Sequence, residues 1–345
     1  MSNVSENRHP RAELEEGLPG DLRQSGDMPI LTVSTVAFRR LATAAAVLLA
    51  LIVVSGAAVR LTGSGLGCPT WPRCTSTSIV APASYHAWVE FGNRVVTTVV
   101  GVFVAVVALA SLARQPRRRD LVLLAWAQVA GFVGQAVIGG LSVLYDLAPP
   151  FVMAHFLLSM AMVWAALLLV HRADPGWHPR RPAAERELTW LLRLVSATAG
   201  AVLVLGTITT GTGPHAGDGG KHIRRLALPL ERVTQLHADA ALLLTGLVVA
   251  TLFAVRLTDT TAVVRRRALW LAGAVGLQVA IGYTQYFLNL PPGVVELHVA
   301  GATVLWCAAV WLQLGLAAPT AAAPVAVPAT RTARPQPLRT AATDT

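Results

Sequence analysis

The stretch Gln135-Ala-Val-Ile-Gly139 is followed by His155, and the same template returns as Gln278-Val-Ala-Ile-Gly282 followed by His298. In both copies the histidine comes sixteen residues after the glycine, and two adjacent prolines stand between them. Such a match over 21 positions rarely arises by chance, which indicates an internal duplication. Each copy presents one histidine at an equivalent place.

Long uncharged runs surround these templates and set the fold class. Hydrophobic residues make up 54% of the chain and charged residues 13%. The runs have about the length that a bilayer core requires, roughly 20 residues each. The composition argues against a soluble protein and predicts an all-α, polytopic membrane protein. Eight transmembrane helices are expected at about 38–59, 91–113, 121–144, 150–171, 189–210, 232–256, 267–289 and 293–316.

Arginine-rich connections indicate the orientation. Three of them fall on the side of the N-terminal tail, which the positive-inside rule assigns to the cytoplasm. The sequence therefore predicts a multi-pass cell membrane protein with both termini cytoplasmic. The loop after the fifth helix is an exception, because Lys221, Arg224 and Arg225 place positive charge outside. That cluster suggests another purpose, such as binding an anionic ligand. The three inner connections are 114–119, 172–186 and 256–267.

Two tails and one linker frame the helices. Residues 1–36 are polar, and residues 317–345 consist mostly of Ala, Pro, Thr and Arg, so both are predicted to be disordered cytoplasmic tails. Residues 173–188 form a cytoplasmic linker between an N-terminal half, 37–172, and a C-terminal half, 189–316. The net charge of +10 comes largely from inner loops and the C-terminal tail. It therefore indicates contact with anionic membrane lipid, and no nucleic-acid motif accompanies it.

The duplication extends to the other helices. Helix 1 ends in Thr62-Gly-Ser-Gly65 and helix 5 ends in Thr210-Gly-Thr-Gly213, so the chain is predicted to form two duplicated four-helix bundles. Counting back from the matched histidines pairs His237 on helix 6 with Asn93 on helix 2. The second half therefore has two histidines where the first has one histidine and an asparagine.

These four positions are the candidate ligand-binding positions. Each lies within about six residues of the outer end of an even-numbered helix, at ~1.5 Å per residue, and so lies shallowly on the extracytoplasmic side. A ligating side chain inside a membrane helix is a functional candidate by default. His237 and His298 on facing helices would suit bis-imidazole ligation of a haem iron. The alternative is that each histidine only bonds a neighbouring helix.

Helix 2 begins with further candidates. Glu90 is three residues before Asn93, so its carboxylate is expected on the same helical face, toward the first-half site. Arg94 and Arg232 lie near the membrane surface, where they would suit carboxylates such as haem propionates. The alternative for Glu90 is a solvated helix-start residue whose charge suits the helix dipole.

Cys68 and Cys74 lie together in the first outer loop. On an oxidising face such a pair can close a small disulfide, and both a structural and a redox-active role remain open. Zinc would need more ligands than the loop offers. Cys307 is expected to be an inert, small apolar side chain.

Taken together, these motifs resemble the haem A synthase family, in the form found in actinobacteria. The resemblance covers about residues 37–316, and the combination of motifs is far more specific than any one of them. It rests on the Gln/His templates and on the runs Arg60-Leu-Thr-Gly-Ser-Gly-Leu-Gly-Cys68-Pro-Thr-Trp-Pro-Arg-Cys74, Glu90-Phe-Gly-Asn93-Arg94 and Gln235-Leu-His237-Ala-Asp239.

The resemblance implies an enzyme that oxidises the C8 methyl of haem O to a formyl group, giving haem A for cytochrome c oxidase. It implies that His237 and His298 hold a haem b cofactor, that Asn93 and His155 flank the substrate haem, and that Glu90 takes part in catalysis. The cysteine pair of the first outer loop would form a disulfide linked to function. The implied partners are haem O synthase and a quinone or another electron acceptor, and an oligomer is possible.

Asn93 departs from the family pattern, which has histidine at this position. Asparagine is a poor iron ligand, so His155 is expected to hold the substrate haem alone, with the distal position open. The alternative sixth ligand is His86, the only other histidine nearby.

Two other functions remain open at this stage. One is a membrane cytochrome b that only carries electrons, which would use the histidines but not Glu90. The other is a membrane thiol/quinone oxidoreductase that uses Cys68 and Cys74 and leaves the duplicated histidines unexplained.

Overall fold

A computed structural model of the chain describes residues 32–177, 186–215, 217 and 224–316. Most of both predicted tails, the central part of the predicted linker and Lys221 lie outside the described residues.

The described chain contains eight long helices, so the all-α fold class is confirmed. The predicted segments fall on these helices, whose ends extend by several residues in places. The helices are α1 (Thr35–Leu61), α2 (Tyr85–Ala113), α3 (Arg119–Leu144), α4 (Pro149–Arg172), α5 (Arg186–Thr212), α6 (Leu230–Leu257), α7 (Ala262–Phe287) and α8 (Pro292–Gly315).

Seven of the described helices are long and apolar enough to cross a membrane by length and composition. The remaining helix is α7, whose outer half carries the polar residues Gln278, Thr284 and Gln285. At 26 residues α7 is as long as its neighbours, and it packs along α6 and α8. The protein is a multi-pass membrane protein.

Each half forms a ring of four helices. In the first half, α1 packs against α2 and α4, and α3 also packs against both. The second half repeats this pattern, with α5 and α7 each packed against α6 and α8. Helices α2 and α4 therefore stand diagonally across one bundle, and α6 and α8 stand diagonally across the other. Each bundle buries its own apolar core, centred on residues such as Phe38, Val104 and Val163 in the first half and Leu192, Leu244 and Leu271 in the second.

The two halves meet through α1, α4, α5 and α8. Trp306 on α8 packs against the cores of both halves. Its indole Nε1 donates a hydrogen bond of 2.9 Å to the backbone oxygen of Met160 on α4. One side chain thus ties the second bundle to the first within the membrane.

The outer loop after α5 also contacts both halves. Arg60, at the end of α1, donates to the backbone oxygens of Thr210 and His215. Arg224 pairs with Asp146 in the outer turn between α3 and α4, at 3.2 Å. Within the basic cluster of the loop after α5, Arg224 therefore has a carboxylate partner in the same chain.

Candidate functional site

The repeated Gln/His template forms the same hydrogen bond in both halves. The side-chain Nε2 of Gln135 on α3 donates a hydrogen bond of 3.0 Å to the backbone oxygen of His155 on α4. Gln278 on α7 does the same to the backbone oxygen of His298 on α8, at 2.8 Å. The glutamine therefore fixes the height of the histidine against the preceding helix. This is the same bond in each copy of the duplication.

One turn after the glutamine, the glycine gives the imidazole room. Each ring lies against a glycine of the preceding helix, and a Cβ added to that glycine would be in tight contact with ring carbon Cε1 of His155 and in ordinary contact with Cε1 of His298. The same packing occurs at the third histidine, His237. The Cβ-to-Cε1 distances would be 3.0 Å for Gly139 and His155, 3.1 Å for Gly206 and His237, and 3.4 Å for Gly282 and His298.

His237 and His298 face each other across the second bundle. Their ring centroids lie 6.4 Å apart, with the ring planes inclined by 71°. Two imidazoles that bind one metal ion from opposite sides, with metal–nitrogen distances of about 2.0–2.1 Å, have centroids about 6 Å apart. The pair therefore fits bis-imidazole ligation of a haem iron.

The three imidazole rings have similar surroundings. Nδ1 of His155, of His237 and of His298 is buried without a hydrogen-bond partner of acceptable geometry. The backbone carbonyls of Gln135 and Val202 lie close to the rings of His155 and His237. A carbonyl beside the ring is the usual surrounding of a metal-binding histidine.

Asn93 and His155 occupy the matching positions of the first bundle. Asn93 lies on the same stripe of α2 as the buried residues Val100 and Val104, at spacings of seven and eleven residues. His155 lies on the same stripe of α4 as the buried Met162, seven residues on. Helical periodicity turns both side chains toward the bundle interior. Because α2 and α4 are diagonal, Asn93 and His155 stand across the first bundle as the histidine pair stands across the second.

Asn93 has a partner that the sequence did not suggest. Its Oδ1 accepts a hydrogen bond of 2.8 Å from Oγ of Ser55 on α1. His86, considered as an alternative ligand, lies in the exposed first turn of α2, two turns outward from Asn93. Its Nδ1 contacts Oγ of Ser64 at 3.0 Å. The structure therefore places His86 at the exposed outer end of α2, in contact with Ser64.

Glu90 is buried, with 6% of its surface exposed, beneath the first outer loop. Its Oε2 accepts the backbone N–H of Cys68 at 2.7 Å, and its Oε1 accepts from Arg94 at 2.5 and 3.1 Å. Arg94 also donates to the backbone oxygens of Cys68, Thr70 and Arg73. These bonds occupy all five N–H donors of the guanidinium. The expected propionate contact of Arg94 is therefore at odds with the structure, in which Arg94 binds the loop.

Cys68 and Cys74 form a disulfide, and both are buried. The expected pairing is thereby confirmed. The loop that it closes lies against the start of α2, where Gly67 leaves no room for a side chain next to the backbone of His86. Glu90, Arg94 and the disulfide thus form one unit at the outer end of the first bundle.

Arg232 lies apart from the histidine pair. It is exposed on α6 and precedes His237 by five residues, which turns it about 140° around the helix axis. The structure does not bring Arg232 to the His237 face. It instead lines a surface groove with Glu231, Gln235, Leu236 and Asp239.

Sequence reasoning missed Ser55 and Gly206. Gly206 stands 31 residues before His237, against 16 for the template glycines, because the α5–α6 loop is longer than the α3–α4 turn. The sequence feature that could have identified Gly206 is a glycine inside a helix of a duplicated bundle. Ser55 is a single serine in an apolar run, which carries no signal of its partner.

Comparison with known proteins agrees with this geometry. The family model for cytochrome oxidase assembly protein, COX15-CtaA, matches residues 39–86 and 80–310. A heme A synthase of Lysinibacillus sphaericus is 29% identical over 175 residues, or 50% of this chain and 57% of that protein. A heme A synthase of Geobacillus kaustophilus is 32% identical over 123 residues, or 35% of this chain and 38% of that protein. A heme A synthase of Alkalihalophilus pseudofirmus is 28% identical over 159 residues, or 45% of this chain and 54% of that protein.

The aligned parts thus span between 38% and 57% of these relatives' own lengths. The family match is broader, because it begins in α1 and ends in α8. This chain therefore belongs to the cytochrome oxidase assembly protein family.

Proposed function

We propose that this protein is a haem A synthase, which oxidises the C8 methyl of haem O to a formyl group and so supplies haem A to cytochrome c oxidase. The observation that carries the proposal is the 6.4 Å pairing of the His237 and His298 rings in one half, with an incomplete copy of the same site in the other. One complete and one incomplete site suit one resident cofactor and one substrate of the same chemical class. The named relatives support this assignment.

The second half is the proposed cofactor site. His237 and His298 would hold a haem b, with Gly206 and Gly282 behind the rings. Conversion of a methyl to a formyl group with water as the oxygen source releases four electrons and four protons. Haem bound there would pass these electrons one at a time to a membrane quinone or another acceptor. The surrounding apolar helices exclude water from the iron ligands.

The first half is the proposed substrate site. His155 would hold the iron of haem O from α4, braced by Gln135 and Gly139. Glu90 lies one turn outward of Asn93 on α2, and we assign it the proton that methyl oxidation releases. Its two oxygens accept hydrogen bonds from the backbone N–H of Cys68 and from Arg94, and the backbone N–H of Gly67 also lies close to the carboxylate. Arg94 stabilises the charged form and holds the carboxylate in place.

Partners and orientation follow from the same proposal. Haem O synthase would deliver the substrate, and both chain termini would lie in the cytoplasm. The two alternative functions explain less. An electron carrier has no need of the buried Glu90 unit. A thiol oxidoreductase needs an accessible disulfide, whereas Cys68 and Cys74 are 0% and 1% exposed.

The test is the pigment that the protein makes in a host that supplies haem O. Glu90→Gln keeps the size of the side chain and removes its charge, so haem b should remain bound while haem A falls and haem O or an alcohol intermediate accumulates. Extraction and mass identification of the haems measure all of these species. Glu231→Gln, in the exposed first turn of α6, is the matched control and should leave the yield unchanged. Wild-type haem A yield from Glu90→Gln would remove Glu90 from the mechanism, and an absence of haem A from the wild-type protein would contradict the proposed function.

A further inference from the structure

One of the four matched positions differs in kind from the other three. Three hold an imidazole packed on a glycine, and the fourth holds Asn93 bound to Ser55. The Ser55–Asn93 bond joins α1 to α2 at 2.8 Å. It uses the oxygen of the carboxamide. Within the described residues, Nδ2 of Asn93 donates to no protein atom.

Oγ of Ser55 lies 2.8 Å from Oδ1 of Asn93 and 3.2 Å from the backbone oxygen of Ile52 on its own helix, so the shorter contact is the one to the amide. A carboxamide carries an acceptor oxygen and a donor NH₂ group on the same carbon. Because Ser55 on α1 contacts the oxygen, the NH₂ group keeps its donors for an acceptor other than α1.

We propose that Ser55 and Asn93 form the distal wall of the first-half site, opposite His155. The substrate haem is then held by His155 alone, and its iron stays open to a small neutral ligand such as dioxygen or carbon monoxide. Nδ2 of Asn93 donates a hydrogen bond to that ligand, and Ser55 is the positioning residue that sets the amide orientation. This inference rests on the proposed function, because it needs a haem in the first half.

The two halves then differ in what they can bind. In the second half, imidazoles occupy both sides of the iron position, so a small ligand has no place there. In the first half, Asn93 is a poor iron ligand but a good hydrogen-bond donor. Distal donors and steric access are the features by which proteins control small ligands on haem iron. With asparagine in place of a second histidine, the first-half site leaves one side of the iron position open, whereas the second-half site closes both sides.

Carbon monoxide is the probe, because it binds ferrous iron only at an open position and its C–O stretching frequency falls when a donor faces it. The full-length protein, purified with its resident haem and loaded with haem O, is reduced and exposed to carbon monoxide. One of the two haems should bind it, and His155→Ala should abolish that band. In Asn93→Leu the infrared frequency should shift upward. In Ser55→Ala the band should broaden or split, because the amide loses its anchor.

The matched control is Ser142→Ala on α3 of the same bundle, whose hydroxyl bonds only the backbone oxygen of Ile138. It should leave the frequency unchanged. The inference would be overturned if a haem loaded into the first half did not bind carbon monoxide. It would also be overturned if the C–O stretching frequency were unchanged in both Asn93→Leu and Ser55→Ala. Failure of the wild-type protein to load a second haem would contradict the proposed function, and the inference with it. Retention of the resident haem signal shows that each variant is folded.

Discussion

At the residue scale, glycines on the neighbouring helices leave room for the imidazole rings. Gly206 allows the His237 ring to lie against α5, where a methyl group would meet it at 3.1 Å. Such a contact is tight, so the ring or the helix would have to move by a few tenths of an ångström. A displacement of that size matters at a metal ligand, because metal–nitrogen distances vary little.

We therefore expect Gly206→Ala to shift the low-spin signal of the resident haem or to lower its occupancy. The fold should persist, since alanine is favoured over glycine in a helix by about 1 kcal/mol. Gly200→Ala on the same helix is the control, because its methyl would meet Trp306 only at 3.9 Å. Electron paramagnetic resonance and the haem-to-protein ratio measure the effect. Equal spectra for both variants would mean that the glycine does not position the ring.

At the element scale, the first outer loop is held by the helix that follows it. Arg94 on α2 binds the backbone oxygens of Cys68, Thr70 and Arg73, and Glu90 binds the N–H of Cys68. The disulfide alone closes only a small ring of chain. The side chains of α2 connect that ring to the proposed substrate site.

Arg94→Lys tests this connection. A lysine keeps the charge but cannot replace a planar fork of five donors. Hydrogen bonds to charged groups contribute about 1.5–3 kcal/mol each, so the loop should open more readily. Deuterium uptake of residues 66–75, followed by mass spectrometry, should rise. Arg73→Lys, a substitution of the same kind within the loop, should change uptake far less because its side chain has one long contact, to Ser76 at 3.4 Å.

The outer turns show how far the duplication reaches. Asp146 and Leu147 adopt φ of 51° and 54°, and Asn289 and Leu290 adopt φ of 58° and 61°. Two successive left-handed residues are rare outside glycine, and Asp and Asn tolerate this region best. The repeat is therefore preserved in backbone conformation, with Asp or Asn at the first position of the turn and Leu at the second position in both copies.

The sequence predicted the helices, the duplicated bundles and the inward positions of the histidines, because these follow from hydrophobic period and spacing. It also placed Glu90 and Asn93 on one face. It did not predict Ser55 as the partner of Asn93 or the loop as the partner of Arg94. Periodicity identifies the face on which a side chain lies, whereas its partner atom depends on the packing of residues distant in sequence.

At the scale of the whole molecule, the proposed electron transfer between the halves would require that the two bundles keep a fixed separation. Arg60 fixes the outer ends through the loop after α5, and Trp306 fixes the interior through Met160. The two contacts lie at different depths, so together they resist rotation of one bundle against the other.

Trp306→Phe removes the indole N–H and leaves the backbone oxygen of Met160 without that donor. Hydrogen bonds between membrane helices contribute about 0.6 kcal/mol on average and up to about 1.7 kcal/mol, and the loss of indole packing adds to this. Thermal unfolding in detergent should therefore occur at lower temperature in Trp306→Phe than in the wild type. Trp164→Phe makes the same change at a side chain that is 42% exposed, and it should have little effect. An equal loss in both variants would show that the Trp306–Met160 bond does not hold the halves together, and would leave Arg60 and apolar contact as the connection.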